Sequence, residues 1–188
     1  MSSSQRISIT GMFIALGILF PMLFHLTGGP GLGRIFLPMH LPVLLAGFLG
    51  GPVVGITTGV LAPGLSSLVT GMPPAPIPAI PMTFELVVYG GLAGVLFRRQ
   101  HRSLMLSLIV AMLGGRIVYA LLFAYILPLF GWEGAPLYAW LTGTVLPSWP
   151  GIAIQLVAVP LIVSAARHMP IFAEAKADID SSVSPSKR

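Results

Sequence analysis

The sequence predicts an all-α protein of six transmembrane helices, and three observations carry that prediction. Of 188 residues, 55% are hydrophobic and 8% are charged, where a soluble domain has about a quarter charged. The apolar residues gather into runs that approach the roughly 20 residues a helix needs to cross a bilayer. Most Lys and Arg residues fall between or after those runs, where membrane orientation signals sit. The 22 Gly and 18 Pro lie inside apolar stretches, and membrane helices tolerate both because neighbouring groups satisfy the freed backbone.

The first span is expected over residues 7–24, a run that reaches roughly 27 Å as a helix. The short polar segment before it carries one Arg and no small-x-small cleavage site follows, so the run reads as a retained span rather than a signal peptide. A Gly- and Pro-rich loop is expected over 25–34. The apolar stretch 35–68 is too long for one ordinary span, and Gly50-Gly51-Pro52 divides it into 35–49 and 53–68. The first of these is short and carries Pro38 and Pro42, which predict a tilt or kink. Pro73, Pro74, Pro76, Pro78 and Pro81 predict a non-helical loop. The fourth span is expected over 82–97, ended by Arg98-Arg99-Gln100-His101-Arg102. The fifth is expected over 104–129, a loop over 131–140, and the sixth over 146–166. Residues 1–172 then form one six-helix domain. The Ser-rich segment 173–188 reads as a disordered tail.

Charge tests the count. With Arg6 in the cytoplasm, six spans put Arg98, Arg99, Arg102, Arg167, Lys176, Lys187 and Arg188 on the same side. Only Arg34 and Glu133 fall outside, as the positive-inside rule requires. Fusing the second and third spans would send the Arg98–Arg102 cluster outward. Both termini are therefore expected to be cytoplasmic. The net charge of +5 is explained by orientation; no aromatic-basic interleaving points to nucleic acid.

Ionisable groups at membrane depth are costly and mark functional candidates. Glu85 falls in the fourth span and Arg116 near the middle of the fifth. They read either as a structural ion pair or as a ligand site in which Arg116 offers its planar fork to a carboxylate. Tyr89, four residues after Glu85, and Tyr119, three after Arg116, share the helical faces of those charges. Gln155 is an unusual amide in the sixth span. Trp149 sits at the outer end of that span, on the same side as Trp132 and Trp140; for all three an interfacial belt is the commoner role. His40 is a lone helix-end histidine near a loop able to cover a cavity. Small residues recur four apart, at Gly11 and Ala15 and at Gly47, Gly51, Gly55 and Gly59, faces that let helices approach closely. Internal packing is the preferred reading for the second set, and a partner contact is open for the first.

Signatures of catalysis are missing. There is no phosphate loop, no dinucleotide fingerprint, no nucleophile elbow and no zinc-hydrolase motif. The absence of cysteine excludes disulfides and thiolate chemistry. No cofactor, metal site or enzymatic activity is expected.

The chain resembles the substrate-binding (S) components of energy-coupling factor (ECF) transporters. The stretches that carry the likeness are Phe36-Leu37-Pro38-Met39-His40-Leu41-Pro42-Val43-Leu44-Leu45-Ala46-Gly47, Gly71-Met72-Pro73-Pro74 and Phe84-Glu85-Leu86-Val87-Val88-Tyr89-Gly90. The resemblance covers about residues 7–166. It implies a membrane subunit that captures a vitamin from outside, under the loop between the first two spans. That subunit docks on a transmembrane coupling (T) subunit with two ATPases and topples to deliver its cargo. In the family the first span carries a small-x-x-x-small docking face, which Gly11 and Ala15 match, with Gly in place of the usual first Ala. The cations Arg34 and Arg116 outnumber Glu85 on the outer half, which leans toward a carboxylate-bearing vitamin such as pantothenate. Two rival readings stand beside it: a self-sufficient secondary transporter with Glu85 as its proton carrier, and a membrane scaffold without a small ligand.

Overall fold

Glycine and proline decide where each apolar run breaks. The computed structural model describes residues 3–132, 136–166 and 169. Six helices are long and apolar enough to cross a membrane: α1 (Ser3–Gly29), α2 (Gly31–Gly50), α3 (Pro52–Thr70), α4 (Ala79–Arg99), α5 (Leu104–Leu129) and α6 (Leu137–Ala166). The described residues contain no strand. The all-helical class and the six spans are those expected. Glu133, Arg167, His168, Lys176, Lys187, Arg188 and the rest of the expected tail lie outside the described residues.

The α1–α2 connection is much shorter than the loop expected over 25–34. Helix continues to Gly29, where φ is 70°, a value glycine adopts without strain, and resumes at Gly31. The two arms fold back on each other. The Phe24 and Phe36 rings lie 5.4 Å apart, and a Cβ on Gly33 would meet His25 Nε2 at 2.9 Å. Glycine-rich composition suggests a loop there, but packing between the arms overrides it. Within α2 the expected kink is present. Pro38 disfavours helical geometry in the residue before it, and Leu37 has a φ of 50°. Helix restarts at His40, whose N–H donates to the Leu37 carbonyl at 3.0 Å.

Other boundaries follow local chemistry. Gly51 (φ 88°) and Pro52 separate α2 from α3 as expected. Gly71 (φ 72°) ends α3, its N–H donating to the Ser67 carbonyl at 3.0 Å, a common glycine C-terminus. The proline-rich connection then leads into α4. Pro81 belongs to the first turn of that helix rather than to the loop, where its missing N–H has no intrahelical partner to lose. Ser103 caps α5 by accepting from the Leu106 N–H at 3.3 Å. The sixth helix begins at Leu137 rather than near 146. It tightens into a 3-10 turn over Leu146–Ser148, at Pro147, then continues as Trp149–Ala166. Pro147 and Pro150 suggest a helix start, but Pro147 lies within this tightened turn and Pro150 in the first turn of the segment that follows it.

The centre of the bundle is α2, buried from Pro42 to Leu49. The α3–α4 contact is a backbone-to-backbone approach. A Cβ on Gly55 would strike the Gly90 backbone, one on Gly90 would strike Gly55, and one on Gly59 would meet the Leu86 backbone at 2.7 Å. Gly47 of α2 abuts the same Gly90 carbonyl. These glycines therefore serve internal packing. Gly11 and Ala15 differ: both are exposed on α1, and nothing lies within 4 Å of a Cβ on Gly11. Large apolar side chains such as Leu68, Leu113, Ile117 and Leu161 are also exposed, as a surface solvated by lipid allows.

Candidate functional site

The α1–α2 and α3–α4 connections lie at one end of the bundle, opposite Arg6, Arg98 and Arg99. There they enclose a cavity of about 600 Å³, within the range typical of small-molecule sites. Its walls come from His25 of α1, Arg34 and Leu37 to His40 of α2, the proline-rich α3–α4 connection, and Met82 and Glu85 of α4. Arg116, Tyr119 and Phe123 of α5 and Trp140 of α6 complete them. The break in α2 puts His40 at the head of a new helical segment, facing this space.

The floor is charged. Arg116 Nη1 lies 3.2 Å from Glu85 Oε1, and His40 Nε2 lies 3.4 Å from Glu85 Oε2. Arg116 Nη2 also donates to Ser148 Oγ at 3.3 Å, and that hydroxyl donates to the Val145 carbonyl at 2.9 Å. Glu85 and His40 are 1% and 2% exposed. The geometry depends on Gly115: a Cβ there would run into the Tyr89 ring, so glycine lets Tyr89 press against α5 and brings Arg116 beside Glu85. The His40 and Tyr89 rings meet edge to face at 5.3 Å. Charge is balanced within the pair, but hydrogen-bonding capacity is left over. Glu85 Oε1, Arg116 Nε and both His40 nitrogens are buried without an aligned hydrogen bond, and buried polar groups ordinarily have one.

One wall is aromatic. Tyr119 stacks on Trp140 with centroids 6.1 Å apart and an interplanar angle of 26°, and it packs against Phe123 at 5.9 Å. The Trp140 Nε1 is buried with no hydrogen-bond partner.

Glu85, Arg116, Tyr89, Tyr119 and His40 are therefore brought together as one cluster, all but Tyr89 on the cavity wall itself. Two other expected site residues are not on that wall. Trp149 is 68% exposed. It follows Ser148, and successive residues of a helical turn point in different directions, so an inward Ser148 turns Trp149 outward. Gln155 is buried at 1% exposure on α6 but lies below the cavity, its amide atoms unpaired. Two contributors escape sequence reasoning. Trp140 has the composition of an interfacial anchor but is a cavity wall, because helix α6 starts earlier than expected. Ser148 gives no signal beyond a hydroxyl between Pro147 and Trp149.

The sequence profile of the family described as the ECF transporter, substrate-specific component, matches residues 5–163. Neither a curated protein nor a solved structure matches the chain.

Proposed function

The chain belongs to the family of substrate-specific components of ECF transporters, and on that premise we propose that it captures a small water-soluble vitamin or vitamin precursor in the cavity above Glu85 and Arg116. The observation that carries this reading is the floor itself. A compensated ion pair with His40 beside it lies on the wall of the cavity, and a few placed polar groups of that kind orient a ligand in an otherwise apolar pocket. A carboxylate-bearing vitamin such as pantothenate is the specific candidate, because Arg34 and Arg116 both line the cavity.

In this reading the cavity faces outward and both termini lie in the cytoplasm of a cell-membrane protein, the side the Arg6 and Arg98–Arg102 charges favour. Energy comes from two ATPases acting through a T subunit, since the chain has no phosphate loop. The exposed Gly11 and Ala15 face supplies the docking surface, because close helix approach needs small side chains. A polar tail, residues 173–188, extends from the domain of residues 1–172.

The test is direct. Purified protein should release a vitamin-sized molecule identifiable by mass spectrometry, and adding that molecule should raise its Tm. A protein that releases nothing, and whose Tm no vitamin moves, is not a capture subunit. Proton-driven uptake by the protein alone in liposomes would instead identify a secondary transporter. Protease-accessible tags on either terminus in intact cells would overturn the orientation.

A further inference from the structure

The two cations of the cavity are not equivalent. Arg116 is buried, and its charge is answered by Glu85 at 3.2 Å. Glu85 is the only carboxylate among the described residues, and its second oxygen faces His40 at 3.4 Å. Arg34 stands at the rim, exposed, lining the same cavity and close enough to Tyr119 to interact with it electrostatically. No carboxylate among the described residues is left to neutralise it. With neutral histidines the described lining residues therefore sum to one positive charge, and that charge is at the mouth rather than the floor.

Resting on the capture reading above, we infer that the ligand is a monoanion held with its carboxylate at Arg34 and a neutral, hydrogen-bonding end on the Glu85–Arg116–His40 floor. A carboxylate driven down to Arg116 would meet Glu85 on the same guanidinium. Like charges that close in a poorly solvated site repel strongly. A hydroxyl or amide at the floor instead meets the wall formed by Glu85, Arg116 and His40 without placing a second anion beside Glu85. The aromatic wall of Tyr119 and Trp140 flanks the span between the two ends. Arg34 acts as a specificity determinant by selecting charge. The floor reads polarity without charge.

Matched probes separate the two ends. Pantothenate and its uncharged alcohol pantothenol form one pair, nicotinate and nicotinamide a second, biotin and biotin amide a third. Thiamine and riboflavin serve as cationic and uncharged controls. Binding to the full-length protein is read by Tm shift and intrinsic fluorescence. For the acid that binds, the neutral counterpart should bind about 10- to 100-fold more weakly, the range for losing one hydrogen bond to a charged group. Arg34→Gln should remove that preference by weakening the acid alone, and Arg34→Lys should restore part of it. Arg116→Lys should weaken acid and neutral partner by the same factor. If the preference survives Arg34→Gln and is lost in Arg116→Lys, the carboxylate sits on the floor and the inference is wrong. Preferential binding of thiamine or riboflavin also overturns it, while leaving the capture reading intact. If no probe binds, the charge of the co-purifying molecule decides: a monoanion supports the assignment and any other charge defeats it. Failure to find any bound molecule defeats the capture reading itself.

Discussion

The slab formed by α2, α3 and α4 and the hollow end of the bundle solve opposite packing problems. In the slab, glycine at 47, 55, 59 and 90 lets backbones touch, and dispersion over a continuous contact holds the helices where lipid offers no hydrophobic force. At the hollow end, Tyr119 and Trp140 stand on the cavity wall, and the buried Glu85–Arg116 pair lies beside them. One region tolerates no added atom. The other keeps polar groups unmatched. The difference teaches that the slab supplies rigidity against which the charged floor is held.

Four substitutions test that division, from the largest expected effect to the smallest. Glu85→Gln strips the buried Arg116 of its counter-charge and should lower stability by about 3–5 kcal/mol, read as a fall in Tm in detergent. Arg116→Gln added to it should recover much of the loss. If the single change is harmless, the pair is not what organises the hollow end. Gly90→Val forces Cβ and Cγ atoms into the Gly55 backbone and should cost about 3 kcal/mol, the upper end for overpacking. Equal tolerance of valine at Gly90 and at the unobstructed Gly11 would erase the contrast between slab and surface. Trp140→Phe preserves an aromatic wall but removes Nε1. Ligand affinity should change by no more than about 1 kcal/mol, because Nε1 is buried away from the cavity, with Tm of the free protein nearly constant. Ala15→Trp should shift neither Tm nor ligand affinity beyond about 0.5 kcal/mol, as for surface changes generally. It should nonetheless block assembly with the coupling subunit in a pull-down, and normal assembly would leave this face without a role.

Much of this was legible in one sequence because membrane physics writes large. A Glu and an Arg in apolar runs announce themselves, and helical spacing ties Tyr89 and Tyr119 to them. The Gly50-Gly51-Pro52 break is equally plain, since the charge pattern demands an even number of spans. Residues whose role depends on tertiary direction were not legible. Trp140 and Trp149 have the same local character, yet one lines the cavity and the other faces outward, and only the tightened turn at Pro147 separates them. Arg34 and Arg116 read alike as outer cations, and although the sequence offers a Glu85–Arg116 pair as one alternative, only the 3.2 Å contact selects it. The hairpin at Gly29 was hidden for a different reason: glycine-rich composition is ambiguous between a loop and two helices in close contact.

That hairpin has a mechanical consequence. Helix continues from Ala15 through Pro21 to the turn at Gly29, about 21 Å, and that single residue with positive φ joins it to the segment bearing Arg34. A tilt of α1 by about 10° about Ala15 swings the elbow by roughly 4 Å over that length, and the cavity mouth must travel with it. In the proposed reading the first helix is a crank: a push on its small-residue face would arrive, geared up, at the rim of the cavity. Two extra glycines after Gly29 would put play in the joint. Such a chain should still bind ligand and still meet its coupling subunit, yet transport should stall.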